Sequence, residues 1–272
     1  MPRPSPRALP DTVTRSDAPS ARELLLKLLV SRKNQPLDAA TAIRACALFD
    51  VADNAVRVAL NRLLASGLVE TAGRGAYRLG PQGRAMGREV AAWRDLEQQL
   101  VPWDGGWVAV LALASPDRKV QRANQRALAL LGLRELTAGL CVRPDNLDGG
   151  VMRLRKRLRD LGLDRGAPVF QVRELDTPLD KAARGLWPLQ ALAAAYDQTQ
   201  AHLQASLTRL PQLPLEAAAR EAWLTGDAAI RQLVFDPLLP EPLVPAPARA
   251  AFLDTVKAYD DAGKRIWRRF LA

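Results

Sequence analysis

At residues 53–80 the sequence is DNAVRVALNRLLASGLVETAGRGAYRLG, and it contains the pattern of one helix followed by one hairpin. The helix pattern is an apolar stripe at i, i+3, i+4 and i+7 spacing, formed by Val56, Ala59, Leu60, Leu63 and Leu64. Gly67 is suited to end the helix, after which LVET and AYRL have the composition of short strands. The glycines of AGRG permit a tight reversal between them. The stretch therefore predicts a helix over about 53–66 and a β-hairpin.

Upstream of this stretch, two further helices are predicted. Ser20 and Glu23 form the capping-box pattern SARE, and the leucines that follow it recur on one helical face. A second helix is expected over about 38–48, and the segment FDVADN supplies the turn to the third. Three helices and a hairpin predict a winged helix-turn-helix domain over residues 20–84. Residues 1–19, rich in proline, are expected to form a disordered tail.

Downstream, the pattern predicts an α+β chain with two further domains. Residues 85–102 are expected to form a linker helix, and residues 103–176 alternate strand and helix as a ferredoxin-like domain does, beginning with the strand WVAVLAL (107–113). Residues 177–272 predict a helical C-terminal domain for effector binding or dimerisation. Its helices are expected over 186–207, 215–233 and 247–270.

Charge and cysteine content narrow the class of protein. The net charge of the 272 residues is +10, and residues 20–88 contain eleven Lys and Arg against five Asp and Glu. So basic a segment favours a polyanionic partner, either nucleic acid or an acidic membrane surface. No apolar stretch approaches the roughly twenty residues of a membrane span, and Cys46 and Cys141 lie in apolar runs typical of reduced buried thiols. A cytoplasmic protein with no membrane partner is expected.

The third predicted helix would turn a polar face towards DNA. If its apolar stripe packs inward, Asn54, Arg57, Val58 and Asn61 lie on the opposite side, where the major groove would be. Arginine can pair with guanine and asparagine with adenine, while Asp53 is expected to cap the helix. The remaining predicted DNA contacts are phosphate or minor-groove residues, namely Arg62 on the flank, Arg74 at the hairpin tip and Arg78 in support.

Several of these segments resemble known families. NAVRVALNRLL followed by ASGLVE is similar to the third helix and first strand of GntR-type winged helices. In their order, YRLGPQG, WDGGW, LRELTAGLCVRPDN and RQLVFDPLLPEPLVP together resemble the PaaX family of phenylacetate-catabolism repressors, over about residues 20–245. The resemblance implies a ferredoxin-like middle domain and an aryl acyl-CoA effector, such as phenylacetyl-CoA or a related thioester.

These expectations combine into a model of a regulator. The chain would repress a catabolic operon by binding a partly palindromic double-stranded operator as a homodimer, because one winged helix covers only a half-site. An acyl-CoA-type effector would release it. The basic helix MRLRKRLRD and nearby residues are candidates for the effector site, namely Arg143, Arg153, Lys156, Arg157, Trp107 and Trp187. A solvated basic face or a second contact with DNA backbone are alternatives for this helix, and the tryptophans are more often core residues.

Two other functions remain open from the sequence. A ferredoxin-like domain can hold the site of a metal-dependent nuclease, but Asp117, the candidate metal ligand, comes several residues after the first strand of that domain. The chain could also be an adaptor that uses the basic helix to hold a protein partner. His202 is the single histidine and, with two distant cysteines, predicts no transition-metal site, so neither an enzyme nor a cofactor is expected.

Overall fold

The structure analysed is a computed structural model. Apart from Pro19, the predicted tail 1–19 lies outside the described residues, and so does Leu113 near the end of the strand predicted from Trp107. The described residues are 19–32, 35–112 and 115–272. They divide into two compact units, which are discontinuous along the chain. The first contains the residues up to Ala92, Ser206–Ala228 and Asp260–Ala272, and the second contains Trp93–Ala205 and Ala229–Tyr259.

The first unit contains the winged helix-turn-helix that the sequence predicts. Its N-terminal elements are α1 (Ala21–Ser31), β1 (Leu37–Asp38), α2 (Ala39–Ala47), α3 (Asp53–Ala65), β2 (Val69–Thr71), β3 (Ala76–Leu79) and α4 (Pro81–Ala91). The capping box of α1 is confirmed, since Glu23 N donates to Ser20 Oγ (3.3 Å) and Ser20 N donates to Glu23 Oε2 (3.1 Å). These bonds satisfy amides that have no partner within the helix.

The hairpin is part of a three-stranded sheet rather than an isolated ribbon. β1, which the sequence did not reveal, pairs antiparallel with β3, so the strand order is β1-β3-β2. Ala39 N also donates to Gly75 O (3.0 Å), which ties the tip of the hairpin to the start of α2. The wing is therefore held directly against the helix-turn-helix.

The second unit contains a ferredoxin-like sheet and two helices. Its elements in this part are β4 (Trp107–Leu111), α5 (Arg118–Leu130), β5 (Arg134–Thr137), β6 (Leu140–Pro144), α6 (Gly150–Asp160) and β7 (Val169–Val172). All pairings are antiparallel, in the order β5-β6-β4-β7. This β-α-β-β-α-β arrangement confirms the predicted fold. Leu128 of α5 and Leu158 of α6 are buried in the same core as Val108 and Val110 of β4.

The linker and the C-terminal region are helical with local differences from prediction. α4 ends at Ala91 and is followed by single 3₁₀ turns at Ala92–Asp95 and Glu97–Gln99, not by one helix to residue 102. The C-terminal helices are α7 (Thr177–Arg184), α8 (Leu189–Arg209), α9 (Leu215–Val234) and α10 (Ala246–Leu271). α7 was not predicted; Asp176 caps it by accepting from Leu179 N (2.8 Å). The α+β class is confirmed, whereas the five-segment domain division stays a prediction.

Two segments that carry the family resemblance meet inside the second unit. Asn146, which ends LRELTAGLCVRPDN, donates from Nδ2 to Leu238 O (2.7 Å) in the DPLLP segment. Asp236 in that segment accepts from Tyr196 OH (2.5 Å) and from Leu238 N (2.7 Å). Burial raises the pKa of Asp236, and these two hydrogen bonds oppose that rise. The two motifs therefore stabilise each other's conformation within the second unit. No helix in the described part of the chain is long and apolar enough to cross a bilayer.

Candidate nucleic-acid interface

The inner face of α3 is buried as the sequence predicts. Val56 is fully buried, and Leu60 and Leu63 are nearly so, in a core shared with α1 and α2. Leu64 is partly buried against the same core. Removing these side chains from water supplies most of the energy that holds α3 in place. The rotational setting of the helix is thereby fixed.

The opposite face of α3 is exposed. It carries two asparagines, two arginines and one large apolar side chain, namely Asn54, Arg57, Val58, Asn61 and Arg62. Val58 is 40% exposed, although an apolar residue of this size is usually covered. In a major groove it would meet the methyl group of thymine, beside amides and guanidinium groups that can pair with adenine and guanine. The face thus offers both polar and apolar base contacts.

Arg57 is paired with an acid on its own helix. Its Nε donates to Asp53 Oδ1 (2.7 Å) and its Nη2 to Asp53 Oδ2 (3.3 Å). The hydrogen bond to Asp53, and then the charge of Asp53, raise the pKa of Arg57. Asp53 is therefore not the helix cap expected from the sequence: Ala52 occupies the cap position, without a side-chain hydrogen bond. The carboxylate instead holds the guanidinium at the exposed N-terminal end of α3.

The wing presents one arginine at its tip and one on its flank. Gly73 and Gly75 have positive φ angles of 120° and 70°, which explains the two glycines around the exposed Arg74. Arg78 lies opposite Glu70 in the hairpin and donates from Nε to Glu70 Oε1 (2.7 Å). This bond is the main reason why the pKa of Glu70 is lowered. Among the described residues Arg74 has no ion pair, so it is the wing residue most available to a phosphate.

Helices α9 and α10 brace the turn of the helix-turn-helix within the first unit. Phe49 in the turn contacts Trp223 of α9 and Trp267 of α10, with ring centroids 5.8 Å and 6.5 Å away. Arg220 Nη1 donates to Leu48 O (2.7 Å) and to Asp50 Oδ2 (3.1 Å). Asp50 has φ of 60°, which is unusual for a residue with a side chain, and these contacts stabilise the turn between α2 and α3 in that conformation.

Three of the predicted effector residues lie in the interior of the second unit. Trp107 and Trp187 are buried and stacked, with ring centroids 6.3 Å apart and planes 8° from parallel. Arg143 is only 2% exposed and donates to Leu131 O (2.5 Å), Pro144 O (3.1 Å) and Asn146 Oδ1 (3.0 Å). Burial lowers the pKa of Arg143. The structure gives these three side chains packing roles and no open surface.

The cationic side chains of α6 form ion pairs or hydrogen bonds with residues of their own unit. Arg153 pairs with Asp148 (2.5 Å) and Lys156 with Asp160 (2.7 Å), both at exposed positions. Arg157 donates to Gln99 Oε1 (3.3 Å), and it lines with Arg153 a cavity of about 10 Å³. A cavity of that volume has room for about one water molecule and none for a thioester. The six predicted effector residues are not brought together around one opening.

The residues of the alternative functions have structural roles. Asp117 caps α5, where its Oδ1 accepts from Lys119 N (2.7 Å). Among the described residues, no group of three or more His, Cys, Asp or Glu side chains could hold a metal ion. Cys46 and Cys141 are free thiols, and burial raises the pKa of each to about 11. Low reactivity is expected of both thiols.

Comparison with known proteins supports the family resemblance in one region. Residues 187–269 match the family model described as the PaaX-like protein C-terminal domain. A solved structure titled uncharacterized protein Rv0674 from Mycobacterium tuberculosis shares 23% sequence identity, covers 91% of this chain and 98% of its own, and has a TM-score of 0.59. At that identity the likeness concerns the fold. A search of curated proteins gave no significant match. The PaaX-like resemblance, which suggests a transcriptional regulator, is thus confirmed through the C-terminal match.

Proposed function

With a PaaX-like C-terminal region in place, we propose that this protein is a sequence-specific DNA-binding transcriptional regulator that reads its operator with α3 and the wing. The observation that carries the proposal is the exposed face of α3. Asn54, Arg57 and Asn61 stand outward on a helix whose other side is fully packed. Arg74 extends from the wing tip, suited to a phosphate or the minor groove.

The finer proposal follows the family resemblance. The protein acts in the cytoplasm as a repressor of a catabolic operon and binds a partly palindromic operator as a homodimer, whose two-fold axis doubles the base contacts. An aryl acyl-CoA thioester, such as phenylacetyl-CoA, releases it by binding better to the conformation that does not fit the operator. Of the predicted effector residues, Arg153 and Lys156 have the exposure needed to meet the phosphates of such a ligand.

A binding titration tests the reading face. Operator fragments are first selected from genomic DNA, and their affinity is measured for the unaltered protein and for Arg57→Ala. We expect Arg57→Ala to weaken operator binding about 5- to 100-fold and to relax base preference at one position of each half-site. Adding phenylacetyl-CoA or free CoA to the same titration tests the effector, since only the thioester should release DNA.

Arg173→Ala is a matched control for that experiment. Arg57 and Arg173 are 61% and 58% exposed, and each is ion-paired with an exposed aspartate, Asp53 and Asp104 respectively. The two substitutions remove the same charge from equivalent surroundings, so non-specific loss of charge affects both equally. Equal affinities of the two variants for the operator would contradict the placement of the reading face.

A further inference from the structure

The outward face of α5 carries four cations and no acid. Arg118, Lys119, Arg122 and Arg126 are all exposed, and together with Gln125 and Ala129 they line an open surface depression of about 710 Å³. The helix sequence RKVQRANQRALAL contains no Asp or Glu. The inner face of the helix is buried through Asn124, Ala127 and Leu128, so the cations cannot turn inward.

These cations differ from those of α6 in their pairing: the acid next to them, Asp117, caps the helix by accepting from Lys119 N and pairs with no side-chain cation of the described residues. Within the part of the chain that the structure describes, none of the four forms an ion pair, and Arg126 Nε donates to the backbone oxygen of Arg122 (3.3 Å). On α6, Arg153 and Lys156 each have a carboxylate partner. Like charges at i, i+4 spacing destabilise a helix, so Arg118, Arg122 and Arg126 in one row cost stability unless an anion binds them.

From this contrast we propose that the α5 face is a second DNA contact, which binds backbone phosphates without reading bases. The proposal rests on the proposed DNA-binding function and adds a surface to it. From Arg118 to Arg126 the row is about 12 Å long at 1.5 Å per residue. One strand of duplex DNA carries a phosphate per about 3.4 Å of axis, so three or four phosphates lie along that length.

Side-chain chemistry favours DNA over a membrane surface. Three of the four cations are arginines, whose planar guanidinium binds phosphate oxygens through two parallel hydrogen bonds. A helix that lies in a membrane interface needs large apolar side chains beside its cations. The apolar side chain that lines the depression with these cations is Ala129, and Leu128 is buried. The face therefore offers charge without an insertable apolar edge.

The test measures the salt dependence of binding. The dissociation constant of the full chain is determined between about 50 and 200 mM salt for the selected operator and for an unrelated duplex of equal length. The double substitution Lys119→Gln with Arg122→Gln, which removes two positive charges, should weaken binding to both duplexes by the same factor. It should also make the slope of log affinity against log salt shallower by about one to two units, because each phosphate contact contributes about 0.9.

A control with the same loss of charge is Arg173→Gln with Lys264→Gln. Both residues are exposed and already paired, with Asp104 and Asp260 respectively, so their removal should leave the slope unchanged. The variant Arg122→Lys, which keeps the charge, should have nearly the same slope of log affinity against log salt as the unaltered protein. An unchanged slope in the α5 variant, or a loss confined to the operator, would overturn the proposal. Loss of binding to anionic phospholipid vesicles with intact DNA binding would overturn it too.

Failure of this inference can be told apart from failure of the proposed function. If the unaltered protein shows no preference for any operator, sequence-specific regulation is wrong, yet the slope on the unrelated duplex still reports on α5. If operator preference is present and depends on Arg57 while the α5 variant has the slope of the control, then α5 alone is misassigned.

Discussion

Helices α3 and α6 both carry arginines that the sequence suggests as binding residues, but in the structure these arginines have different partners. On α3 the polar residues point away from the core, and among the described residues the ion-pair partner of Arg57 is Asp53 on the same helix. On α6 two arginines reach back to their own unit: Arg155 Nη2 donates to Val169 O (2.6 Å), and Arg159 Nη2 to Ala167 O (2.6 Å). The number of cations does not distinguish a binding face from a structural one; their partners do.

The largest effect is expected from the inner face of α3, on which the comparison depends. Leu60 is 2% exposed, and its neighbour Asn61 is exposed. Leu60→Ala should lower the free energy of unfolding by about 2–5 kcal/mol, because it removes buried methyl groups and leaves a cavity. Asn61→Ala should change it by less than about 0.5 kcal/mol. Denaturant unfolding of both variants measures this, and the opposite order would mean that α3 is rotated from the position described.

Periodicity was enough to predict α3 because its burial repeats along the chain. The same was true of α8, α9 and α10, whose bounds fall within a few residues of prediction. β1 could not be predicted, because a strand of two residues is too short to show an alternating pattern. It forms because it pairs with β3. The α7 helix is short and was likewise missed. Local sequence therefore revealed the elements that carry their own pattern, and not those that depend on a distant partner.

In the candidate site too, some features follow from the local sequence pattern and others depend on distant partners. The exposed set on α3 follows from helical geometry alone, once the apolar stripe is known. The environment of Arg143 does not, because its partners Leu131 and Asn146 come from two loops that only the fold brings together. Asp53 illustrates a third case. An aspartate at the start of a helix can cap it or pair with an arginine four residues on, and the sequence permits both.

An effect of intermediate size should distinguish α6 from α3, because a substitution on α6 should change stability and one on α3 should change DNA affinity. Arg155→Ala removes two hydrogen bonds to Val169 O and should lower the free energy of unfolding by about 1–2 kcal/mol, with operator affinity unchanged. Arg57→Ala should show the reverse, a loss of affinity with the unfolding midpoint unchanged. Lys156→Ala controls for loss of charge on α6, since its exposed pair with Asp160 contributes little to stability. If Arg155→Ala instead weakens DNA binding in a stable protein, α6 is part of the interface.

The smallest effect is expected from Asp53, the carboxylate that pairs with Arg57. Asp53 and Arg57 are 54% and 61% exposed, so water already screens their attraction, and a phosphate can compete for the guanidinium. Asp53→Asn removes a negative charge that also repels DNA. We expect about two- to fivefold tighter binding to the operator and to unrelated duplex alike, measured by the same titration.

Repeating the substitution in the Arg57→Ala background shows which cause dominates. If Asp53 acts mainly by holding Arg57, then Asp53→Asn should no longer tighten binding once Arg57 is absent, because there is no guanidinium left to release. If it acts by repelling phosphates, the gain should persist undiminished. Weaker operator binding by Asp53→Asn in the presence of Arg57 would mean that the pair orients the guanidinium for its base. In that case α3 resembles α6 more than its exposure suggests, in that a neighbouring acid sets the position of the cation.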